Sequence, residues 1–433
     1  MELPSEKTLP GALVVRAYDM VKWRYERARA HLIVRLVGDR LGPQIVSARV
    51  PIEADVVVPF AEDPARLYQL EQWLPVLEKL AERHRVLLVV RDIRTLNALH
   101  GRTTLPTVCT ASFLDLMSLY DLGDFKIGIY VNNGVRNFQS LNNPRMLHVH
   151  VNHGESDKLS SFSNQVKGYD RVFVAGPVGV ERYREALIEY DERKLVVVGR
   201  PLLDIEFVPT VPASARRTVL YAPTFEGDSE SNNWTSLDRY GASIVEQALA
   251  LPDVRVVYRP HPRVDTSRHP GVAKAHRSIT RQIEAANARD PHAGHVVRTG
   301  GSILSIFGVC DALVGDVSSV TLDFLFLRPD CPIFLTDRRD DRNLLLLDSP
   351  LAADTDIVDS STIGGLGSLL ADRLRDDGRR EDRARARKHY FGELAPGEST
   401  QRFIAAISDL IALRDQALVG HRKVTIGDVD EHG

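Results

Sequence analysis

Short apolar runs and stretches of helical periodicity alternate along this chain from about residue 46 to residue 420. The apolar runs are rich in Val, Ile and Leu, as the buried strands of parallel sheets are. The predicted strands are 55–60, 86–91, 126–131, 146–151, 172–175, 195–198, 218–221, 254–258, 295–297, 312–314 and 332–335. Helices are predicted between them, for example over 64–83 and 178–190. The alternation indicates parallel sheets that are covered by helices on both faces.

A polar stretch that contains prolines divides this alternation into two series. It includes Pro209 and Pro212 and continues to Arg217, and its composition is that of an interdomain linker. We therefore predict an α/β protein with two facing Rossmann-like domains, over residues 46–208 and 216–420, and a cleft between them. Residues 421–433 are predicted to form a loose tail.

The segment before these domains has the pattern of one long amphipathic helix. Over residues 13–41 an apolar stripe recurs at helical spacing. The stripe consists of Val14, Tyr18, Val21, Tyr25, Ala28, Leu32 and Leu36. Seven basic residues outnumber three acidic ones there, and Trp23 lies among them. Residues 1–45 are therefore predicted to be a basic amphipathic helix that either lies on an anionic membrane surface or packs on the chain's own domains or a second subunit.

Composition and charge narrow the class of protein. With 433 residues, of which 43% are hydrophobic and 26% charged, the chain can form two or three globular domains. The net charge of −3 and the lack of a known nucleic-acid-binding motif argue against a nucleic-acid partner. Three widely spaced cysteines, Cys109, Cys310 and Cys331, favour neither a disulfide framework nor a zinc site. We find no bilayer-spanning apolar run and no signal peptide, and expect a cytoplasmic protein.

The first candidate site is a strand–turn–helix unit within residues 311–337. An apolar run over 312–314 ends in the turn 315–319, and an apolar-periodic helix follows. The hydroxyls of Ser318 and Ser319 lie at the start of that helix, where backbone N–H groups are free and the helix dipole is positive. Such a corner suits a phosphate group. The alternative is that Ser318 or Ser319 only caps the helix.

Two further predicted strands end in residues suited to phosphate or proton chemistry. The strand over 254–258 continues into Arg259 and His261, each followed by a proline that stiffens the turn. The strand over 146–151 continues into His153 and Gly154, and the glycine lets a substrate approach closely. A single His at a strand end is usually structural, but open α/β sheets bind ligands at these ends. Three such ends in one chain therefore favour a common site.

The order of these motifs resembles the CDP-glycerol glycerophosphotransferases, the teichoic-acid primases and polymerases of bacterial cell-wall assembly. The matching motifs are HG-x3-K (His153, Gly154, Lys158), LYAPT (220–224), RPHP (Arg259, His261, Pro262) and GD-x-SS-x3-DF (Asp316, Ser318, Ser319, Asp323, Phe324). Weaker matches are Gly199, Pro201, Asp204 and residues 397–402. The resemblance covers roughly residues 127–411. One departure is Glu155-Ser156-Asp157, where family members usually carry small neutral residues after the His-Gly pair.

The resemblance implies a fold, a reaction and its partners. The fold is glycosyltransferase-B-like, in which the second domain holds the nucleotide diphosphate and the first presents the acceptor. An acceptor hydroxyl attacks the β-phosphorus of CDP-glycerol, or of a similar CDP-polyol, and CMP is released. The acceptor is a lipid-linked or polymeric hydroxyl in the synthesis of a teichoic-acid-like polymer. No cofactor and no metal site are predicted.

The resemblance also suggests roles for individual residues. His153 is the candidate general base, because a neutral imidazole can take a hydroxyl proton near pH 7. His261 is the candidate for assisting the leaving group, either protonated or as a hydrogen-bond donor. The candidate substrate-binding residues are Gly154, Lys158, Thr224, Arg259, Asp316, Ser318, Ser319 and Asp323. Among these, Arg259 is expected to grip phosphate oxygens bidentately, and Asp323 to bond a hydroxyl, orient His261 or serve a structural role.

Two other hypotheses stay open. The chain could be a nucleotide-sugar glycosyltransferase or epimerase of the same architecture, although such enzymes typically lack the paired His motifs. It could also be a non-catalytic homologue in which Glu155 and Asp157 have spoiled the site, which the retention of His153 and His261 argues against. The sequence does not identify the acceptor, the polyol, the number of units added or the oligomeric state.

Overall fold

A computed structural model describes residues 52–158, 161–227, 229–267 and 269–419. The predicted amphipathic helix and the predicted tail lie outside these residues. The described strands form two sheets, one of seven strands and one of six. By their internal contacts, the described residues within 52–151, 168–171 and 407–419 form one compact unit, and the described residues within 152–167 and 172–406 form the other.

The first sheet has the strand order β3-β2-β1-β4-β5-β6-β7. Its strands are β1 Val56–Phe60, β2 Val86–Val90, β3 Thr107–Cys109, β4 Ile127–Tyr130, β5 Leu147–His150, β6 Arg171–Val174 and β7 Leu195–Val197. Strand β1 pairs in parallel with β2 on one side and with β4 on the other. On one face of these strands, Val57, Leu87 and Val89 pack with buried residues that include Leu116 and Leu119.

The second sheet has the strand order β10-β9-β8-β11-β12-β13. Its strands are β8 Arg217–Ala222, β9 Val254–Tyr258, β10 Val296–Val297, β11 Ala312–Gly315, β12 Ile333–Thr336 and β13 Asp356–Val358. All of these pairings are parallel. Along β8, Val219 and Tyr221 belong to one core cluster while Leu220 and Ala222 belong to another. Since successive side chains of a strand point to opposite faces, the second sheet has a core on each face.

Helices connect the strands and cover the sheets. The described α-helices are α1 Tyr68–Glu71, α2 Leu74–Ala81, α3 Ile93–Leu99, α4 Phe113–Leu122, α5 Pro177–Ala186, α6 Gly241–Leu249, α7 Pro270–Arg289, α8 Leu304–Phe307, α9 Ser319–Leu327, α10 Arg342–Asp348, α11 Leu366–Arg375, α12 Arg380–Phe391 and α13 Glu398–Val419. Most of them lie between consecutive strands, as parallel pairing requires.

The predicted strands are confirmed, with ends that shift by one or two residues. Two strands, β3 with the sequence Thr-Val-Cys and β13 with the sequence Asp-Ile-Val, were not predicted. The single helix predicted over 64–83 is wrong. Residues 64–66 form a 3-10 turn and α1 and α2 follow separately, with Pro75 in the first turn of α2. Proline lacks an N–H group and cannot continue a helix, but it can start one.

The strand order of the second sheet indicates where a ligand would bind. Numbered along the chain, its six strands lie in the order 3-2-1-4-5-6. The connections run in opposite directions from β8 and β11, and a crevice opens outside the carboxyl ends of these two strands. Residues that follow β8, β9 and β11 therefore lie along one edge of this sheet.

Candidate active site

The crevice between β8 and β11 is built on the carboxylate of Asp316, which follows β11 directly. Its Oδ2 accepts a hydrogen bond from the Thr224 backbone N–H at 2.6 Å, two residues after the end of β8. Its Oδ1 accepts from the Ser236 N–H at 3.2 Å and from Thr336 Oγ1 at 2.6 Å. Asp316 is fully buried, and burial raises its pKa although these bonds oppose the shift. It therefore joins three chain segments and lies behind the crevice wall.

Helix α9 presents its amino terminus at this crevice. Ser318 is the N-cap residue, but its side chain makes no hydrogen bond to the first helical amides. Its Oγ lies 3.5 Å from Thr321 Oγ1, which in turn donates to the Asp316 carbonyl at 2.7 Å. Ser318 therefore occupies the capping position without acting as a conventional side-chain cap. The positive helix end and its first amides are left to attract an anion.

The segment from Asn152 to Lys158 crosses the same crevice. Asn152 has a φ of +52° and its Oδ1 accepts from the His153 N–H at 2.8 Å, which turns the chain after β5. A Cβ on Gly154 would lie 2.8 Å from both Cβ and Oγ of Ser319, so only glycine fits against α9. The side chain of Lys158 then extends to the segment after β8, where its Nζ donates to Thr224 Oγ1 at 2.9 Å. Burial lowers the pKa of Lys158 to about 8.

Glu155 and Asp157, the departure from the expected motif, turn away from this crevice. Oε1 of Glu155 accepts from the Ala175 N–H at 2.6 Å, just after β6. Oδ2 of Asp157 accepts from Ser349 Oγ and from Tyr390 OH, each at 2.7 Å. Burial raises the pKa of both carboxyl groups. The two carboxylates anchor the segment from behind while Gly154 and Lys158 contact the strand and helix ends.

His261 follows β9, the neighbour of β8, and one of its ring nitrogens bonds to the backbone. Nδ1 accepts from the Arg263 backbone N–H at 3.1 Å, which places the ring proton on Nε2. Burial, together with the nearby charges of Lys158, Arg263, Arg259 and His153, lowers its pKa to about 3. The backbone bond and the lowered pKa both favour a neutral His261 ring with its proton on Nε2. The half-buried His153 is close enough to contribute to this shift.

Arg259 binds the protein's own backbone. Its Nη1 donates to the carbonyls of Thr299 at 2.6 Å, Pro260 at 3.1 Å and Arg298 at 3.3 Å. Its Nη2 donates to the Gly301 carbonyl at 2.7 Å. The side chain is 4% exposed, and burial lowers its pKa to about 10. These bonds occupy Nη1 and one hydrogen of Nη2, whereas no partner is found for Nε within the described residues.

The residues of this crevice lie within a stretch of the chain that matches a known protein family. A family model for CDP-Glycerol:Poly(glycerophosphate) glycerophosphotransferase matches residues 145–409, more than half of the chain. The chain belongs to this family. The match includes every residue of the crevice described above. No curated protein is matched by sequence.

Solved structures show the shared fold. The wall teichoic acid polymerase TagF is 15% identical with a TM-score of 0.55, covering 93% of this chain and 99% of that chain. A putative UDP-N-acetylglucosamine 2-epimerase from Listeria monocytogenes is 14% identical with a TM-score of 0.54, covering 84% and 98%. The UDP-GlcNAc 2-epimerase from Neisseria meningitidis bound to UDP-GlcNAc is 12% identical with a TM-score of 0.51, covering 83% and 100%. The predicted glycosyltransferase-B-like α/β fold is thereby confirmed.

Two other motif positions of this glycerophosphotransferase family member, Asp323 and Asp204, bond to groups of the protein itself. Asp323, on α9, forms a buried ion pair with Arg200, whose Nη2 and Nε lie 2.6 and 3.0 Å from Oδ1. The Asp323 carboxylate thus contacts Arg200, and the roles predicted for Asp323 stay predictions. Asp204 accepts hydrogen bonds from the N–H groups of Gly397 at 3.1 Å and Thr400 at 2.6 Å, and so caps the start of α13.

Sequence reasoning missed the residues that support the site from a distance. Ser236 and Thr336 complete the bonds of Asp316, and Arg200 neutralises Asp323. Arg263 lies 3.9 Å above the ring of Phe225, which in turn lies 5.4 Å from the His261 ring. Ser236 and Thr336 stand in no motif, whereas Arg200 lies between the weaker matches Gly199 and Pro201, and Phe225 and Arg263 directly follow the LYAPT and RPHP motifs.

Two kinds of feature are absent from the described residues. No cluster of three or more His, Cys, Asp or Glu side chains in that part of the chain could hold a metal ion. No helix within the described ranges has the length and apolar character needed to cross a membrane.

Proposed function

We propose that this protein transfers a glycerol phosphate unit, or a related polyol phosphate, from a CDP-activated donor to a hydroxyl of a teichoic-acid-like polymer or its lipid-linked primer. The observation that carries the proposal is the convergence of the α9 amino terminus, Lys158 and neutral His261 on the switch point of the second sheet. Membership of the glycerophosphotransferase family supports the choice of donor.

The donor diphosphate would bind at the α9 amino terminus. The free amides, the helix dipole and the Ser318 and Ser319 hydroxyls are all suited to phosphate oxygens. The Lys158 ammonium lies beside them on Thr224, and its charge offsets that of the diphosphate. Buried donors act more strongly on an anion than exposed ones, because less water screens them.

The chemistry is attack of the acceptor oxygen on the β-phosphorus, with cleavage of the bond from that phosphorus to the bridging oxygen. His153 accepts the proton of the acceptor hydroxyl. The bridging oxygen leaves with CMP, and the Nε2–H of His261 donates a hydrogen bond to the charge that develops there. With its pKa at about 3, His261 is neutral at pH 7 and assists without giving up a proton.

The test is incubation of the protein with CDP-glycerol, CDP-ribitol and a UDP-sugar, in the presence and absence of a polyol-phosphate acceptor. We expect acceptor-dependent release of CMP. Release of UDP or epimerisation of the sugar, without release of CMP, would contradict the proposal. It would identify a nucleotide-sugar glycosyltransferase or epimerase instead. Tight binding of CDP-glycerol without turnover would identify a non-catalytic homologue.

A further inference from the structure

Arg91, in the first sheet, is a buried arginine whose bonds go to neutral groups. It directly follows β2 at the carboxyl edge of that sheet and is 6% exposed. Its Nε donates to the Thr110 carbonyl at 2.5 Å, and its Nη1 donates to Gln139 Oε1 at 2.7 Å. No ion pair of Arg91 is found among the described residues. A buried charge without an opposite charge is costly, so this guanidinium calls for a compensating group.

A second arginine, Arg136, lies beside Arg91. Residues Val135–Asn142 form a 3-10 helix after β4, and this helix includes both Arg136 and Gln139. Because side chains three residues apart eclipse each other in a 3-10 helix, Arg136 lies on the same face as Gln139, the partner of Arg91. Burial, followed by the charge of Arg136, lowers the pKa of Arg91 to about 10. Arg136 is exposed, and its side chain bonds to no residue in the described ranges. We call Arg91 and Arg136 the arginine pair.

Two carboxylates near the arginine pair have partners of their own. Asp92 forms an ion pair with Arg94 at 2.6 Å, and Asp115 Oδ2 accepts from Ser112 Oγ at 2.6 Å. The charge of Asp115 opposes the lowering of the Arg91 pKa but does not cancel it. Thr110, which bonds Arg91 through its carbonyl, is fully buried, and its Oγ1 has no partner in the described part of the chain. Two adjacent cations and an unpartnered hydroxyl therefore lie at this edge, where an oxyanion would satisfy all three.

We propose that the arginine pair binds a phosphate group within the polymeric acceptor. The inference rests on the proposed function for the identity of the ligand, because each unit of a polyol phosphate polymer carries one phosphate. A guanidinium group binds phosphate oxygens through two parallel N–H groups, and two adjacent guanidinium groups can share one phosphate. The site belongs to the first sheet and is separate from the α9 amino terminus, which belongs to the second.

The strand order indicates which phosphate would bind. Strands β1 and β4 lie between β2 and β5, and these neighbours all pair in parallel. Neighbouring strands lie about 4.8 Å apart, so Arg91 is about 14 Å along the edge from the carboxyl end of β5. The chain continues from β5 to His153, the proposed base. Because this separation exceeds the length of one glycerol phosphate unit, the bound phosphate would belong to an inner unit of the polymer.

A matched pair of variants tests the site by binding alone. Arg136→Gln removes an exposed charge at the carboxyl edge, whereas Arg83→Gln removes an exposed charge that precedes β2 and so lies at the opposite edge. By calorimetry with a short glycerol phosphate oligomer, we expect R136Q to bind about tenfold more weakly than the parent. R83Q should bind within about twofold of the parent. Equal affinities of the two variants, with both as stable as the parent in thermal melting, would overturn the proposal.

Inorganic phosphate distinguishes a polymer from a free phosphate as the ligand. The oligomer can engage the arginine pair and further groups of the protein at once, so we expect inorganic phosphate to bind the parent at least about tenfold more weakly. Inorganic phosphate that binds as tightly as the oligomer, with the same loss in R136Q, would overturn the proposal and identify a site for free phosphate.

Kinetics separate a binding role of the arginine pair from a structural one. R136Q should raise the KM for the oligomer by about tenfold and leave kcat nearly unchanged, because an inner phosphate takes no part in the chemistry. R83Q should change neither constant. A fall in kcat with an unchanged KM for the oligomer would contradict the proposal.

The outcome can be separated from that of the proposed function. Weaker oligomer binding by R136Q, together with CMP release from CDP-glycerol by the parent, supports both. Weaker oligomer binding by R136Q without any release of CMP supports the arginine pair and removes the transferase. Transfer with the same KM for the oligomer in R136Q and R83Q supports the transferase and removes the arginine pair.

Discussion

Lys158 allows the clearest test of the site, because its partly buried charge should affect stability and donor binding in opposite directions. We consider the substitution Lys158→Met, which keeps the length of the aliphatic stem and removes the ammonium group. In the folded protein burial lowers the pKa of Lys158 from the ordinary 10.5 to about 8. A shift of this size means that the charged form is destabilised by folding, by up to about 3 kcal/mol at pH 7.

The sign of the pH dependence follows from that shift. Between about pH 8 and 10.5 the unfolded chain binds the proton and the folded protein does not, so the stability of the parent rises with pH in this window. Below about pH 8 Lys158 is protonated in both the folded and the unfolded state, so the charged side chain destabilises the folded protein by the full amount. We therefore expect K158M to be more stable than the parent at pH 7, by about 2–3 kcal/mol. Loss of the hydrogen bond from Lys158 to Thr224 reduces this gain. That advantage should shrink by about 2 kcal/mol near pH 9.5.

The assay is urea denaturation of parent and variant side by side at the two pH values, with the difference between them as the readout. Lys274→Met, at an exposed lysine on α7, is the matched control and should change stability by less than about 0.5 kcal/mol. Binding of CDP-glycerol by K158M should fall by about 10- to 100-fold, because the diphosphate loses a buried cation. A variant that is less stable than the parent, or whose advantage does not change with pH, would refute the assignment of a buried ammonium. A variant with unchanged donor binding would remove Lys158 from the site.

Three further predictions concern the other parts of the site and the chain. His153→Ala should reduce CMP release by about two to four orders of magnitude while donor binding, measured by calorimetry, is nearly unchanged; equal activity would exclude His153 as the base. Ser318→Ala and Ser319→Ala should each weaken donor binding by about 1–2 kcal/mol. If both bind CDP-glycerol normally and only melt at a lower temperature, the serines support the helix alone. Removal of residues 1–42, which precede the described part of the chain, should release the protein from anionic vesicles and preserve transfer to a soluble acceptor. High salt should have the same effect on the full chain, whereas aggregation of the truncated protein would support the packing alternative.

Local patterns in the sequence were sufficient to predict the α/β class, most of the strands and the strand ends that meet at the crevice. A buried parallel strand needs an apolar run, and the chain at its carboxyl end needs polar or flexible residues, so both are visible within a few residues. His153, His261 and Ser318 were predicted as candidates in this way, whereas Lys158 became a candidate only through the resemblance to the family. The helix over 64–83 failed because one proline outweighs an otherwise helical pattern.

The tertiary structure decided what each of these residues contacts. Glu155 and Asp157 look in the sequence like charges beside the base, but the partners of Asp157 lie 192 and 233 residues further along the chain. Arg259 looks like a phosphate ligand, but the carbonyls that occupy it come from a loop about 40 residues away. Such pairings depend on the strand order and on side-chain packing, which the spacing of apolar residues does not encode. The sequence thus determines which chemistry is present at the edge of the sheet, and only the fold determines which groups remain available to a ligand.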